Sequence, residues 1–124
     1  MDSNTRAVPE LTVAAQTKIM VGLVELVAIC NGTARAKGFW DEPRRPAEMN
    51  MLQVTELAEC TEWHRKGNPR SDHIPDFSGM EEELADCIIR ICDMAGGLGF
   101  NLPAALIAKL QYNQNREFMH GKRF

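Results

Sequence analysis

The chain has 124 residues, 44% of them hydrophobic and 25% charged, and a net charge of −3. This is an ordinary globular composition, long enough to bury a core, so one domain is expected over residues 1–124, with 1–9 as a loose N-terminal arm ending in Pro9. The mild acidity argues against a nucleic-acid polymer as partner.

The longest apolar run, Ile19 to Cys30, is shorter than the roughly 20 residues a membrane span needs, and Glu25 interrupts it, so no membrane is expected. Met1-Asp2-Ser3 lacks the basic flank of a signal peptide, so the expected location is cytoplasmic. Cys30, Cys60, Cys87 and Cys92 form no CxxC pair and read as small buried reduced thiols. Asn31-Gly32-Thr33 spells a glycosylation sequon, idle in the cytoplasm.

In chain order, Leu11 to about Lys37 carries a helical pattern. Ile19, Leu23, Leu26 and Cys30 form one stripe, and Met20, Val24 and Val27 its neighbour. So broad a stripe suggests burial on more than one side and hints at an oligomer. Gly38-Phe39-Trp40 breaks this helix, and Asp41 to Pro46 is a turn-rich connector. Pro46 suits the first turn of a second helix, Ala47 to about Lys66. A polar loop with Pro69 and Pro75 follows. Ser78 and Glu81 have capping-box spacing for a third helix, Gly79 to about Ala95, ending at Gly96-Gly97. Asn101 can cap a fourth, with Pro103 in its first turn, running to about Arg116.

The second and third helices each carry paired carboxylates, Glu56-Leu-Ala-Glu59 and Glu83-Leu-Ala-Asp86. Met49, Leu52, Glu56, Glu59 and Trp63 are spaced by 3, 4, 3 and 4, the offsets of a buried seam. Glu83, Asp86, Arg90 and Asp93 repeat those offsets beside a second stripe of Leu84, Ile88, Ile91 and Ala95. A single ExxE pair on a helix is commonly a wet surface face. Two pairs set in seams are harder to dismiss, because a bare buried carboxylate must neutralise, pair or bind metal. Arg90 offsets one charge, and oxygen ligands without His or Cys suit Mg²⁺ or Mn²⁺. On the fourth helix Lys109, Asn113 and Arg116 share a face suited to phosphate oxygens, although basic residues near a helix C-terminus also simply favour its dipole.

Other candidates are weaker. Glu117-x-x-His120 has di-iron spacing but occurs once, whereas such sites need two copies. Cys60 and His64 lack the further ligands of a zinc site. There is no GxxxxGK[ST], and Gly96-Gly-Leu-Gly99 lacks the strand of a dinucleotide loop. Phe39 and Trp40 could stack on a base or cover the core.

These residues resemble the MazG-like nucleotide pyrophosphohydrolases of the all-α NTP pyrophosphatase superfamily, whose signature is ExxE, a spacer, then ExxD. The match runs over about residues 36–124, through Glu56–Glu59, the run 82–93, and Lys109, Tyr112, Asn113, Arg116 and His120-Gly-Lys. The resemblance implies an all-α bundle of four to five helices that forms a homodimer or homotetramer. It implies Mg²⁺, with Mn²⁺ as a substitute, held by Glu56, Glu59, Glu83 and Asp86, which are then also the catalytic residues. It implies substrate-binding roles for Lys109, Asn113 and Arg116, with Trp40 as a base-stacking residue. The implied reaction converts a nucleoside triphosphate to monophosphate and pyrophosphate, with Glu59 or Glu56 positioning the water. The alternatives are a dUTPase-type or phosphoribosyl-ATP pyrophosphohydrolase of the same superfamily, or a non-catalytic helical module that binds a protein partner.

Overall fold

The structure is a computed structural model and describes residues 6–123. Part of the arm expected over 1–9, and the final residue of the tail, lie outside the described residues. The fold is all-α, as expected: α1 (Val13–Ala36), α2 (Pro46–Arg65), α3 (Gly79–Leu98) and α4 (Leu102–Gln114), then a single 3₁₀ turn over Phe118–Gly121. No strand forms among the described residues, which hold one isolated bridge between Arg70 and Ser78.

The start signals act as their chemistry requires. Pro46 opens α2 at a position where its missing N–H is not needed. Ser78 and Glu81 form the full capping box of α3: the Ser78 hydroxyl accepts from the Glu81 N–H, and the Glu81 carboxylate accepts from the Ser78 N–H. The Asn101 side chain accepts from the Ala104 N–H at the start of α4.

The expected stop at Gly96-Gly97 does not hold. Helix α3 runs on to Leu98 and ends at Gly99, whose φ of 72° makes the left-handed cap. Gly96 and Gly97 sit inside the helix as points of close approach. A Cβ on Gly97 would collide with the Trp40 indole, and one on Gly96 would lie 2.8 Å from the Asn31 Cβ.

The described residues fall into two compact units. One combines the chain up to Glu25 with Asn101 onward. Within it the Gln111 side chain donates to Gln16 Oε1, Gln114 donates to the Pro9 carbonyl, and the buried Ile107 faces Val13 and Met20 across a small cavity.

The other unit is Leu26–Phe100. Its centre is the α2–α3 pair, which is antiparallel: Trp63 meets Glu83, Cys60 meets Met80, Glu56 meets Arg90, and Gln53 meets Met94. Cys60, Cys87 and Cys92, with Cys30 of α1, are free thiols in the core, as expected.

Helix α1 passes through both units and is little buried; Cys30 is its buried residue, and Val21, Val24 and Ile29 are exposed. Its 24 residues include a window of mean hydropathy 1.7 that tolerates Glu25. By length and composition α1 could therefore cross a membrane, which the shorter run Ile19–Cys30, interrupted by Glu25, did not suggest.

Candidate metal centre

The inner face of α2 reads Met49, Gln53, Glu56, Cys60 and Trp63, stepping by 4, 3, 4 and 3. The expected seam had Leu52 and Glu59 in place of Gln53 and Cys60, and both of those residues are exposed. Either set of steps is helical. Contacts with α3 select between them, because Cys60 donates to the Met80 carbonyl and the Gln53 carbonyl accepts from Cys87. On α3 the expected charged stripe faces inward as read, with Glu83 and Asp93 buried and Asp86 and Arg90 half-buried.

Glu56 is 6% exposed and Glu83 8%. Arg90 Nε donates to Glu56 Oε1 at 2.8 Å, and Trp63 Nε1 donates to Glu83 Oε1 at 3.2 Å. The second oxygen of each carboxylate, Glu56 Oε2 and Glu83 Oε2, is buried without a partner. Oxygens of Glu56, Glu59 and Glu83 lie within 4.8 Å of one another, as do oxygens of Glu82, Glu83 and Asp86. The expected quartet thus falls into two overlapping groups that share Glu83, with Glu59 at the exposed edge.

Glu82 is a member the sequence reading missed. It stands in a run of three glutamates at the start of α3, where acidic residues are explained by the helix dipole alone. Its carboxylate accepts from Ser71 Oγ at 2.5 Å and pairs with His73 Nδ1 at 2.6 Å. Ser71 in turn accepts from the backbone N–H groups of His73 and Ile74, which ties the 66–78 loop to α3.

The electrostatics are those of crowded anions, of which Arg90 pairs with Glu56 and His73 with Glu82. Burial, followed by its hydrogen bond with Glu56, pushes the Glu83 carboxyl up to about 8. Burial and the charges of Glu56 and Glu82 also raise Asp86. Burial pushes Glu56 upward, but hydrogen bonds from Glu83 and Arg90 outweigh it and leave the group below its usual range. Near neutral pH Glu83 is therefore largely protonated while Glu56 stays ionised. An oxygen-only donor set with two unpartnered buried oxygens fits a hard divalent cation, which would take the place of that proton.

A cleft of about 500 Å³ opens beside these groups. Glu56, Asp86 and Arg90 line one part of it, and Leu26, Ile29 and Phe39 another. Trp40, the expected stacking residue, does not line the cleft. Its ring packs on Gly97, its Nε1 donates to Asp93 Oδ1 at 2.8 Å, and the guanidinium carbons of Arg35 and Arg44 each lie 5.1 Å from its centre. Phe39, 60% exposed, is the aromatic ring that faces the cleft.

Lys109, Asn113 and Arg116 belong to the other compact unit. There Lys109 Nζ stands 4.4 Å from the Tyr112 ring centre and the Arg116 guanidinium carbon 5.5 Å. Asn113 Oδ1 is buried without a partner, and Arg116 lies two residues beyond the end of α4 at Gln114.

The chain is similar to dCTP pyrophosphatase 1 of Mus musculus, 28% identical over 86 residues, which is 65% of this chain and 51% of that protein. The dCTP pyrophosphatase 1 proteins of Rattus norvegicus and of Homo sapiens are each 27% identical over the same length. The chain thus spans about half the length of the curated relatives it matches. These relatives agree with the MazG-like resemblance carried by the motifs. No family model matches the chain, and no solved structure does.

Proposed function

We propose that this chain is a metal-dependent nucleoside triphosphate pyrophosphohydrolase, releasing a monophosphate and pyrophosphate. The observation that carries the reading is the pair of buried, unpartnered oxygens on Glu56 and Glu83, within one cluster of carboxylates at the edge of a cleft. The named activity of the relatives agrees with it and places dCTP first among the substrates to test.

Glu56, Glu59, Glu83 and Asp86 would hold Mg²⁺ or Mn²⁺, with Glu83 common to both groups and Glu82 beside Asp86. A bound divalent cation supplies charge neutralisation at phosphate oxygens and a more acidic water. The protein's own groups supply the rest. Arg90 fixes the rotamer of Glu56, and Trp63 fixes that of Glu83. Glu59, the solvent-exposed member of its group, would accept a proton from an attacking water. The apolar wall around Phe39 is suited to a base. Lys109, Asn113 and Arg116 keep the phosphate-binding role that the resemblance implies. A homo-oligomer is part of the reading, since a second copy would cover the exposed Val21, Val24 and Ile29 of α1.

The test is a pyrophosphate-release assay with Mg²⁺ over dCTP, the other dNTPs, NTPs and phosphoribosyl-ATP. Turnover of a nucleoside triphosphate is expected. Absence of turnover on every substrate, together with a melting temperature indifferent to Mg²⁺, would favour the non-catalytic binding module.

A further inference from the structure

Asp93 is the most heavily hydrogen-bonded carboxylate of the Leu26–Phe100 unit. Its Oδ1 accepts from Asn31 Nδ2 at 3.0 Å and from Trp40 Nε1 at 2.8 Å. Its Oδ2 accepts from a terminal nitrogen of Arg44 at 3.1 Å. Asp93 is buried and the Arg44 side chain only 16% exposed, so this is not a loose surface pair.

Arg44 is held a second way, with its guanidinium carbon 5.1 Å from the centre of the Trp40 ring. That ring is itself pinned, by Asp93 at its N–H and by Gly97 beneath it. The bond to Asp93 is the one hydrogen bond Arg44 makes among the described residues. None of its remaining N–H groups is buried without a partner, so solvent reaches them, and the side chain lines the same cleft as Glu56 and Asp86.

The Asp93 carboxylate is shared among three donors, so it takes up only one nitrogen of Arg44. Two other cations line the cleft, Lys37 and Arg90. Arg90 commits its Nε to Glu56, and Lys37 is an exposed, flexible ammonium at the end of α1. Arg90 is thus tied to a member of the carboxylate cluster, whereas Arg44 is fixed on Asp93, outside that cluster, and still has free donors in the cleft. A fixed position and free donors are the properties that recognise phosphate oxygens.

We propose that Arg44 is a phosphate-binding residue of this cleft, held in place by Asp93 and Trp40 to meet the polyphosphate of the substrate. The inference rests on the reading of the cleft as a nucleotide site. A guanidinium held in advance loses little conformational entropy on binding, which is how such a clamp gains affinity.

The experiment is calorimetric titration of the full chain with inorganic tripolyphosphate in Mg²⁺, for wild type, R44A and R44K, with melting temperatures recorded alongside. R44A is expected to weaken tripolyphosphate at least about tenfold, and R44K about threefold, because lysine keeps the charge but loses the fork. In the turnover assay R44A should raise KM more than it lowers kcat, and added guanidinium should partly restore it. A purely structural Arg44–Asp93 pair gives lower melting temperatures with wild-type affinity in both variants, and that result overturns the proposal. If R44A does not fold, an unchanged affinity in R44K overturns it. If the wild type hydrolyses nucleotides but R44A and wild type bind tripolyphosphate alike, this inference alone fails. Wild-type protein that neither binds tripolyphosphate nor turns over nucleotide fails the functional reading beneath it.

Discussion

The carboxylate of Glu56 is half satisfied: Oε1 takes the Nε–H of Arg90 at 2.8 Å, while Oε2 is buried with no partner. An unmade hydrogen bond on a buried charged group is costly, so the open oxygen is a standing reason for the site to take up a cation. Replacing Glu56 with Gln keeps the shape and removes the charge. Mg²⁺ is expected to raise the melting temperature of the wild type; E56Q is expected to retain the helical circular-dichroism spectrum, to lose that rise, and to lose at least about 100-fold in turnover. A variant still stabilised by Mg²⁺ to the wild-type extent would remove Glu56 from the site.

Arg90→Met tests the other half of that relationship. It leaves Glu56 buried with neither oxygen paired. The expected loss in the metal-free protein is about 1–3 kcal/mol by urea unfolding, below the range for fully buried pairs because the Arg90 side chain is 37% exposed. Saturating Mg²⁺ should recover part of it, since a cation at Glu56 replaces the lost guanidinium.

Stability should vary with pH in a direction that the crowded carboxylates set. Glu83 is raised to about 8 from an ordinary 4.5, and Asp86 is raised as well. The native state therefore holds more protons than the unfolded chain across that window, and stability falls as pH rises through it. The contribution of Glu83 is complete below the unfolded value and gone above the folded one. Glu56 is lowered, so its contribution has the opposite sign and is lost on the acid side, as pH drops below 4.5. Melting temperatures in a chelator are expected to decline from about pH 5 to about pH 8.5, and Mg²⁺ should flatten the decline. A metal-free melting temperature that is constant or rises over that range would contradict this account.

Gly97→Ala separates helix propensity from packing. Alanine inside a helix normally gains up to about 1 kcal/mol over glycine. Here its Cβ would meet the Trp40 indole, which Asp93 and Arg44 hold in place, so G97A should instead destabilise by about 1–3 kcal/mol. The double variant G97A/W40A should cost less than the sum of the singles, a coupling that chemical denaturation can measure.

Much of the fold is local in origin, and that part was legible. Pro46, the Ser78–Glu81 box and Asn101 act within a few residues of themselves, so the starts of three helices could be read from the chain. Helix α3 also showed its charged face, because Glu83, Asp86, Arg90 and Asp93 stand out against an apolar background. On α2 the same method chose Leu52 and Glu59 where the structure turns the half-buried Gln53 and the buried Cys60 inward. Two helical registers overlap there, and a glutamine is not a residue that hydrophobic periodicity selects. Glu82 was hidden for a related reason, since an acidic first turn needs no explanation beyond the dipole.

The sequence by itself determined an all-α chain and named the carboxylates Glu56, Glu59, Glu83 and Asp86 as candidates for a cation. Only the tertiary structure decided how they are used. It buried one oxygen each of Glu56 and Glu83 without a partner, turned Trp40 from the cleft onto Gly97, and gave Asp93 three donors, Asn31, Trp40 and Arg44. Those donors lie 62, 53 and 49 residues away along the chain. Capping and helical spacing are set by neighbours within a turn or two, whereas the charge state of a carboxylate is set by whatever folding brings beside it.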